Sequence, residues 1–343
     1  MKVTLEQVAQ EASVSRRTVD RVINHRGNVR PEVEQRVRRA LERLDYQPNK
    51  LASALAYSKM PKKIGVIYQK DGFQNFDDNV ERGIKDASDE LRDFGISVEI
   101  AYGDVHRTET YLQTIDRMVK DGICGFVLRG ADIQKLREKI DELYFCDIPV
   151  VTFNSDIPKS KRICFIGQDA YQSGKAAGNI MAKLLREKEK IIICCGVPEY
   201  DAHHKRVDGF VYEMKKHGFD EEQWKIIHTG GSYETTYQNL ESIFGEGDEI
   251  RGIYMSVEPN KACGDFLAER KHDKKPFVIC HDASEESIKY LKNEIFDFII
   301  DQNIYMQSYR ALITMKDILR FGKKTDIKDK VSDLIIYNSV SFV

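Results

Sequence analysis

Ser15-Arg16-Arg17-Thr18 sets two guanidinium groups and two hydroxyls side by side, with Arg21, Asn24 and His25 following within two turns. On a helix whose first turn enters a major groove, Arg16 and Arg17 can each bond bidentately to a guanine edge. Ser15, Thr18 and Arg21 suit phosphate or base contacts, and Asn24 and His25 come a turn later. Charge supports that chemistry. Residues 1–60 carry 12 Lys and Arg against 7 Asp and Glu, leaving 41 against 48 for residues 61–343. A basic head on an acidic body points to a head that alone meets a polyanion.

Other chemistries find less support. Gly167 to Ala176 resembles a phosphate loop, but six residues separate its glycines and Ala176 stands where a magnesium-holding hydroxyl is needed. No G-x-G-x-x-G follows the first strand candidate, so a nicotinamide cofactor is not expected. His203-His204, with His217 or His281-Asp282, completes no spaced ligand set, and no metal or other cofactor is expected. The seven cysteines form no C-x-x-C pair and lie mostly in apolar runs, which reads as reduced core thiols.

These residues need elements to hold them. At 343 residues, 41% apolar and 31% charged, the chain has globular composition with room for two or three domains. Apolar runs such as Ile191 to Cys195 fall far short of the roughly 18–20 residues of a membrane helix. The N-terminus lacks a secretion signal, so a cytoplasmic protein is expected. Thr4-Leu5-Glu6-Gln7 is a capping box that starts a helix at Leu5. Leu5, Val8, Ala9 and Ala12 share one face; Val19, Val22 and Ile23 form a second stripe, and Val33, Val37, Leu41 and Leu44 a third that begins at Pro31. Three short helices therefore close one small core. From Lys63 onward, eleven strand candidates, from Ile64–Gln69 to Leu334–Phe342, alternate with amphipathic segments. That rhythm predicts mostly parallel sheets, and about 280 residues of it predict two lobes.

The head closely resembles the DNA-binding headpiece of the lactose-repressor and galactose-repressor family. The match runs through Val3-Thr4-Leu5-Glu6-Gln7-Val8-Ala9, Val14-Ser15-x-x-Thr18-Val19-x-Arg21-Val22-Ile23-Asn24, and Leu41-x-x-Leu44-x-Tyr46-x-Pro48-Asn49-x-x-Ala52. It departs at Asp20, where the family carries a small hydroxyl residue and where an acid would repel phosphate. The resemblance implies that the segment after Pro48-Asn49 is a hinge that becomes helical on DNA, with Leu55 as a minor-groove wedge and small Ala52 close to the groove floor. Thr4 joins the implied DNA contacts.

The body resembles the effector domain of the same family and the sugar-binding proteins of the periplasm. The resemblance rests on Ile64-Gly65-Val66-Ile67, Ile148-Pro149-Val150-Val151, Ile166-Gly167-Gln168-Asp169-x-x-x-x-Gly174-x-x-Ala177-Gly178, Arg206-x-x-Gly209-Phe210 and Ile300-Asp301-Gln302. It implies an all-α helix-turn-helix headpiece (1–47), a hinge (48–61) and a two-lobed α/β effector domain of the type I periplasmic-binding-protein kind (62–343). Lobe 1 would hold about 62–163 and 303–324, lobe 2 about 164–302 and 325–343. Projected onto this chain, the family's ligand positions are Phe73, Gln74, Phe76, Asp77, Arg129, Asn154 and Ser155 on the first lobe. The second lobe supplies His204 or Arg206, Tyr233, Val257 with Glu258, Asp282, and Gln302 at the crossover. Carboxylates and amides opposite arginines, with aromatic faces above and below, suit a polyol. Asn154-Ser155 replaces the family's frequent Asp-Arg pair, which leaves a plain sugar, a sugar acid, a sugar phosphate or a cyclic polyol as expected effectors.

The implied function is a non-enzymatic, allosterically controlled transcription regulator, a homodimer on near-palindromic double-stranded operator DNA, since two-fold symmetry matches two half-sites. The tail has no leucine-heptad extension of the kind that makes tetramers. The alternatives are a solute-binding protein with no DNA role and a regulator whose co-effector is a protein.

Overall fold

A computed structural model describes residues 3–23, 29–46, 60–70, 72, 74–104, 107–186, 189–196, 200–247, 249–270, 274–322 and 328–342. Asn24, His25, Asn49, Ala52, Leu55 and Phe73 lie outside the described residues.

Thr4 caps the first helix as its spacing requires. Its hydroxyl accepts from the Gln7 amide at 3.3 Å, and its own amide donates to Gln7 Oε1 at 2.8 Å. Helix α1 (Leu5–Glu11) leads through Ser13, in the left-handed region at φ 53°, into α2 (Arg16–Ile23), and α3 (Pro31–Arg43) follows. Val8, Ala9, Ala12, Val19, Val22, Val37 and Ala40 form the core of the head, with Leu41, Leu44 and Tyr46 packed against it. Its stability therefore rests on apolar stripes that no single short helix could bury alone.

The body begins with β1 (Lys62–Tyr68), α4 (Gln74–Arg92), β2 (Ile96–Tyr102), α5 (Thr108–Lys120), β3 (Gly125–Leu128), α6 (Gln134–Phe145), β4 (Val150–Phe153) and β5 (Cys164–Gly167). It continues with α7 (Ala170–Leu184), β6 (Lys190–Cys195), α8 (Asp201–Lys216), β7 (Trp224–His228), α9 (Tyr233–Gly245), β8 (Ile250–Met255), α10 (Asn260–Ala268), β9 (Phe277–His281), α11 (Glu285–Lys292) and β10 (Phe298–Asp301). Helix α12 (Ile304–Phe321), β11 (Lys330–Val331) and β12 (Ile335–Tyr337) complete it. The first sheet runs β11-β5-β4-β3-β1-β2 and the second β12-β10-β9-β8-β6-β7; among the described residues β12 alone pairs antiparallel. Residues Gly125–Leu128 and Val150–Phe153 are buried throughout, as parallel strands covered on both faces must be.

Two boundaries differ from the expected ones. Cys164–Gly167 was expected to open the second lobe, yet it pairs with β4 in the first sheet, Val151 opposite Cys164 and Phe153 opposite Ile166. Arg162 anchors it there. Its guanidinium donates to Asp156 at 2.6 Å and to Asp329 at 2.8 Å, and the Phe165 amide also donates to Asp329. This pairing draws Lys330–Val331 into the first sheet as well. The chain therefore crosses between the lobes after Gly167, after Asp301 and after Val331. The long strand expected over Leu334–Phe342 shortens to Ile335–Tyr337.

Behind the second lobe's wall, α7 and α8 touch backbone to backbone. A Cβ on Gly174 would stand 2.0 Å from the Arg206 carbonyl oxygen, and one on Gly209 would stand 2.1 Å from that of Tyr171. Two glycines thus fix the start of α8, and with it the Arg206 side chain, against the lobe.

Candidate functional site

In the head, the first turn of α2 is built as a groove-reading turn needs. The Thr18 amide donates to Ser15 Oγ at 3.1 Å and the two hydroxyls lie 2.9 Å apart, so both serve the helix cap. Arg16 and Arg17 are exposed. Arg16 Nη1 lies 3.6 Å from Glu6 across open surface, a pair too solvated to hold the guanidinium against a base edge. Thr4 is exposed and Arg21 half-buried. Asp20, the departure from the family pattern, is half-buried, and its charge reaches the phenol of Tyr46. Burial first and Asp20 second push that phenol up.

In the body, the carboxyl ends of the parallel strands face one another across a cavity of about 160 Å³. Open α/β sheets place ligands there. Gln69, Phe76, Arg129, Asn154 and Ser155 line it from the first lobe. Tyr200, His203, Arg206, Val257, Glu258 and Asp282 line it from the second, with Gln302 at the crossover.

A relay of hydrogen bonds ties the lobes. Arg129 Nε donates to Asn154 Oδ1 at 2.8 Å, Asn154 Nδ2 to Gln302 Oε1 at 2.9 Å, and Gln302 Nε2 to Asp282 Oδ1 at 2.6 Å. Asn154 and Asp282 both hold left-handed backbone, φ 59° and 71°, which turns each side chain from the end of its strand into the cleft. The Arg129 guanidinium lies 4.9 Å from the ring centres of both Phe76 and Tyr200. Phe76 is expected to offer its face to a sugar; instead it and Tyr200, one ring from each lobe, clasp an arginine.

Arg206 is 4% exposed. Its Nη1 donates to the Ser256 carbonyl at 2.8 Å, and its Nε has no hydrogen-bond partner among the described residues. Ser155 Oγ, on the facing lobe in a residue 2% exposed, is likewise unpartnered. Behind Arg206, burial and the guanidinium's charge keep His281 well below the usual histidine range, so the imidazole is neutral, and Tyr254 meets its Nε2 at 2.8 Å.

Burial, reinforced by the charge of Asp282, pushes the Glu258 carboxyl up from 4.5 to about 8. The same two causes raise Asp301. The folded protein thus holds the Glu258 proton between about pH 4.5 and 8 while the unfolded chain releases it, and stability falls as pH rises through that window. Glu258→Gln, which cannot ionise, is expected to lose less stability than wild type between pH 5 and 8, by on the order of 1–3 kcal/mol. Urea midpoints measured across that range check it, and parallel curves for the two proteins would count against the buried acid.

Most of the expected residues meet in the cavity, with exceptions. Asp77 is buried and accepts from the Gly72 amide at 3.1 Å, so it shapes the loop after β1 and does not line the cavity. Gln74 opens α4. Tyr233 lines a neighbouring chamber, its hydroxyl donated to Asp265 at 2.9 Å. Of the two alternatives, Arg206 lines the cavity and His204 is exposed outside it. The segment expected as a loop is the first turn of α8, where His203 and Arg206, three apart, share a face that His204 leaves. Gln69, Tyr200 and His203 were not foreseen; Gly196 makes room for the imidazole, since a Cβ there would lie 2.6 Å from His203 Nδ1. Among the described residues no group of His, Cys, Asp and Glu could hold a metal ion, and no helix is long and apolar enough to cross a membrane.

Comparison with known proteins agrees with both halves. Residues 4–49 match the family described as bacterial regulatory proteins, lacI family, and residues 64–324 match the periplasmic binding protein domain. Catabolite control protein A of Priestia megaterium is 27% identical over 260 residues, 75% of each chain. A solute-binding protein of an ABC transporter from Burkholderia graminis, solved with D-arabinose, superposes with a TM-score of 0.72 at 19% identity over 81% of this chain and 95% of its own. A structure assigned as a LacI transcriptional regulator from Bacteroides fragilis gives 0.72 at 20% identity, over 81% and 97%. With a periplasmic-binding-protein domain as its body and a lacI-type head before it, the chain belongs to the lacI family of bacterial regulatory proteins and is a DNA-binding transcription regulator.

Proposed function

We propose that this regulator binds a near-palindromic operator as a cytoplasmic homodimer and that a hydroxylated, sugar-like ligand held between the lobes sets its affinity for DNA. The observation that carries the ligand half is the pair of buried, unpartnered donors facing each other from opposite lobes, Arg206 Nε and Ser155 Oγ. Buried polar atoms are nearly always bonded, so two open ones across one cleft favour a partner that supplies acceptors to both. Asp282 and Gln302 add acceptor and donor beside them, and Glu258 in its acid form adds a donor. A polyol, whose hydroxyls give and take, satisfies such a mixed set.

Closing the lobes on this ligand changes the angle at which the first lobe presents the head. The shift in DNA affinity equals the difference in ligand affinity between the two arrangements, and a ligand equal in both moves nothing. Relatives named for catabolite control fit a regulator whose signal is a metabolite.

Selection from sheared genomic DNA by the full chain tests the reading. The retained fragments are expected to share two inverted half-sites, about 10 base pairs or a multiple apart centre to centre, each with a guanine. Adding one member of a panel of sugars, sugar acids, sugar phosphates and cyclic polyols is expected to change retention at least tenfold. Fragments without a common sequence would sink the DNA half; retention that no member alters would sink the ligand half.

A further inference from the structure

The cleft does not end at the inner cavity. A second chamber of about 580 Å³ opens beside it, and Phe76, Glu258 and Asp282 are walls of both. Resting on the reading of the cleft as a ligand site, we propose that the ligand is a sugar of two units, a disaccharide or a glycoside with a hydroxylated second half, one unit in each chamber.

Size carries the first step. Small-molecule sites that bury most of their ligand enclose about 300–1,000 Å³. The inner cavity falls below that range; the two chambers together fall within it. The inner chamber holds the anchors, since both unpartnered buried atoms, Arg206 Nε and Ser155 Oγ, belong to its walls. The outer chamber is more than three times as large, and a ligand confined to the inner one would leave most of the cleft to water.

Chemistry carries the second step. The outer chamber is bounded by both lobes: Asn75, Asn79 and Arg82 come from α4, while Tyr233, Lys261 and Ser284 face them. Asn75 Nδ2 already reaches the Ala283 carbonyl across the gap, at 3.4 Å. Arg82 is exposed, donates to Asn79 Oδ1 at 2.8 Å and lies 4.9 Å from the Tyr305 ring; among the described residues no acid pairs with it. Amides, hydroxyls and cations on this wall would lose their water to a wholly apolar group without a replacement bond. Phe76, Ile304, Tyr305 and Ile335 beside them offer apolar faces, a mixture that suits the hydroxyls and C–H faces of a sugar ring. The wall accepts a second polyol. Glu258, on the partition, is placed to donate its acid proton to an oxygen linking the two units.

The test is calorimetric titration of the full chain with D-glucose, D-galactose and D-xylose against lactose, maltose, cellobiose and xylobiose. At least one disaccharide is expected to bind tenfold or more tightly than the monosaccharides it contains. Asn79→Trp, which narrows the outer chamber, is expected to abolish that preference. Arg82→Ala, at an exposed side chain that can be removed without disturbing the core, is expected to weaken the same disaccharide at least threefold. A monosaccharide that binds as tightly as every disaccharide containing it overturns the two-unit ligand and leaves the sensor reading standing. A chain that binds neither class overturns the two-unit sugar, and the sensor reading then stands or falls on the sugar acids, sugar phosphates and cyclic polyols of the retention panel.

Discussion

Arg206→Met is expected to erase the protein's response to its ligand while leaving the free protein nearly as stable as before. The guanidinium is 4% exposed, makes one hydrogen bond, to the Ser256 carbonyl, and meets no acid among the described residues. Truncating one partner of a buried, hydrogen-bonded charged contact costs about 2–5 kcal/mol of binding, roughly 30- to several-thousand-fold. Thermal unfolding reads this directly. A ligand at 100 times its dissociation constant adds about 2.7 kcal/mol to stability, and a hundredfold loss of affinity cuts that to about 0.4 kcal/mol at the same concentration. In the free protein the substitution leaves the Ser256 carbonyl without this donor and removes the cost of holding a buried charge with little around it, so the two changes oppose each other. Arg206→Lys separates charge from shape: the ammonium keeps the charge and loses the planar fork, so a response between methionine and wild type is expected. A variant that unfolds several kcal/mol earlier without ligand would make Arg206 a structural residue, and an undiminished ligand response would remove it from the site.

The reach of the sequence can be judged residue by residue. The Thr4–Gln7 box and the Ser15–Thr18 turn were legible because a helix start is a local event; the groups that satisfy its amides sit within four residues of them. The ends of the parallel strands were legible because each apolar run stops at polar residues, as at Arg129, Asn154, His281-Asp282 and Asp301-Gln302. What escaped depends on partners far along the chain. Whether Cys164–Gly167 belongs to one lobe or the other is decided by Arg162, Asp156 and Asp329, the last of them more than 160 residues away. The choice of His203 over His204 turns on whether α8 starts at Asp201 or one turn later, a boundary that composition alone does not set. That Phe76 and Tyr200 would grip Arg129 could not be read from either ring's position, because they come from different lobes and meet only when the chain has crossed between them.

Removing residues 1–60 is expected to abolish DNA binding altogether and to leave the ligand-induced rise in melting temperature intact. Among the described residues the apolar cluster of the head shares no member with those of the lobes, so the lobes keep their cores when the head is gone, losing only the bond from Arg320 to the Met60 carbonyl. Charge makes the loss of binding complete: the head holds 12 basic against 7 acidic residues, and the remaining 41 against 48 repel a polyanion. Non-specific affinity should vanish with specific affinity, because both draw on counterion release, with a slope of roughly 0.9 per phosphate contact in log affinity against log salt. Point substitutions then apportion the head's contribution. Arg17→Ala is expected to cost about 1–3 kcal/mol on the selected operator and far less on random DNA if it reads a base edge. If it meets phosphate instead, it weakens both alike and flattens the salt slope by about one contact. Filter binding over a salt series distinguishes the two for Arg16 and Arg17 in turn. A body fragment that still holds operator DNA, or one that no longer melts higher with ligand, would show that the two halves are not the separable reader and sensor their cores and charges describe.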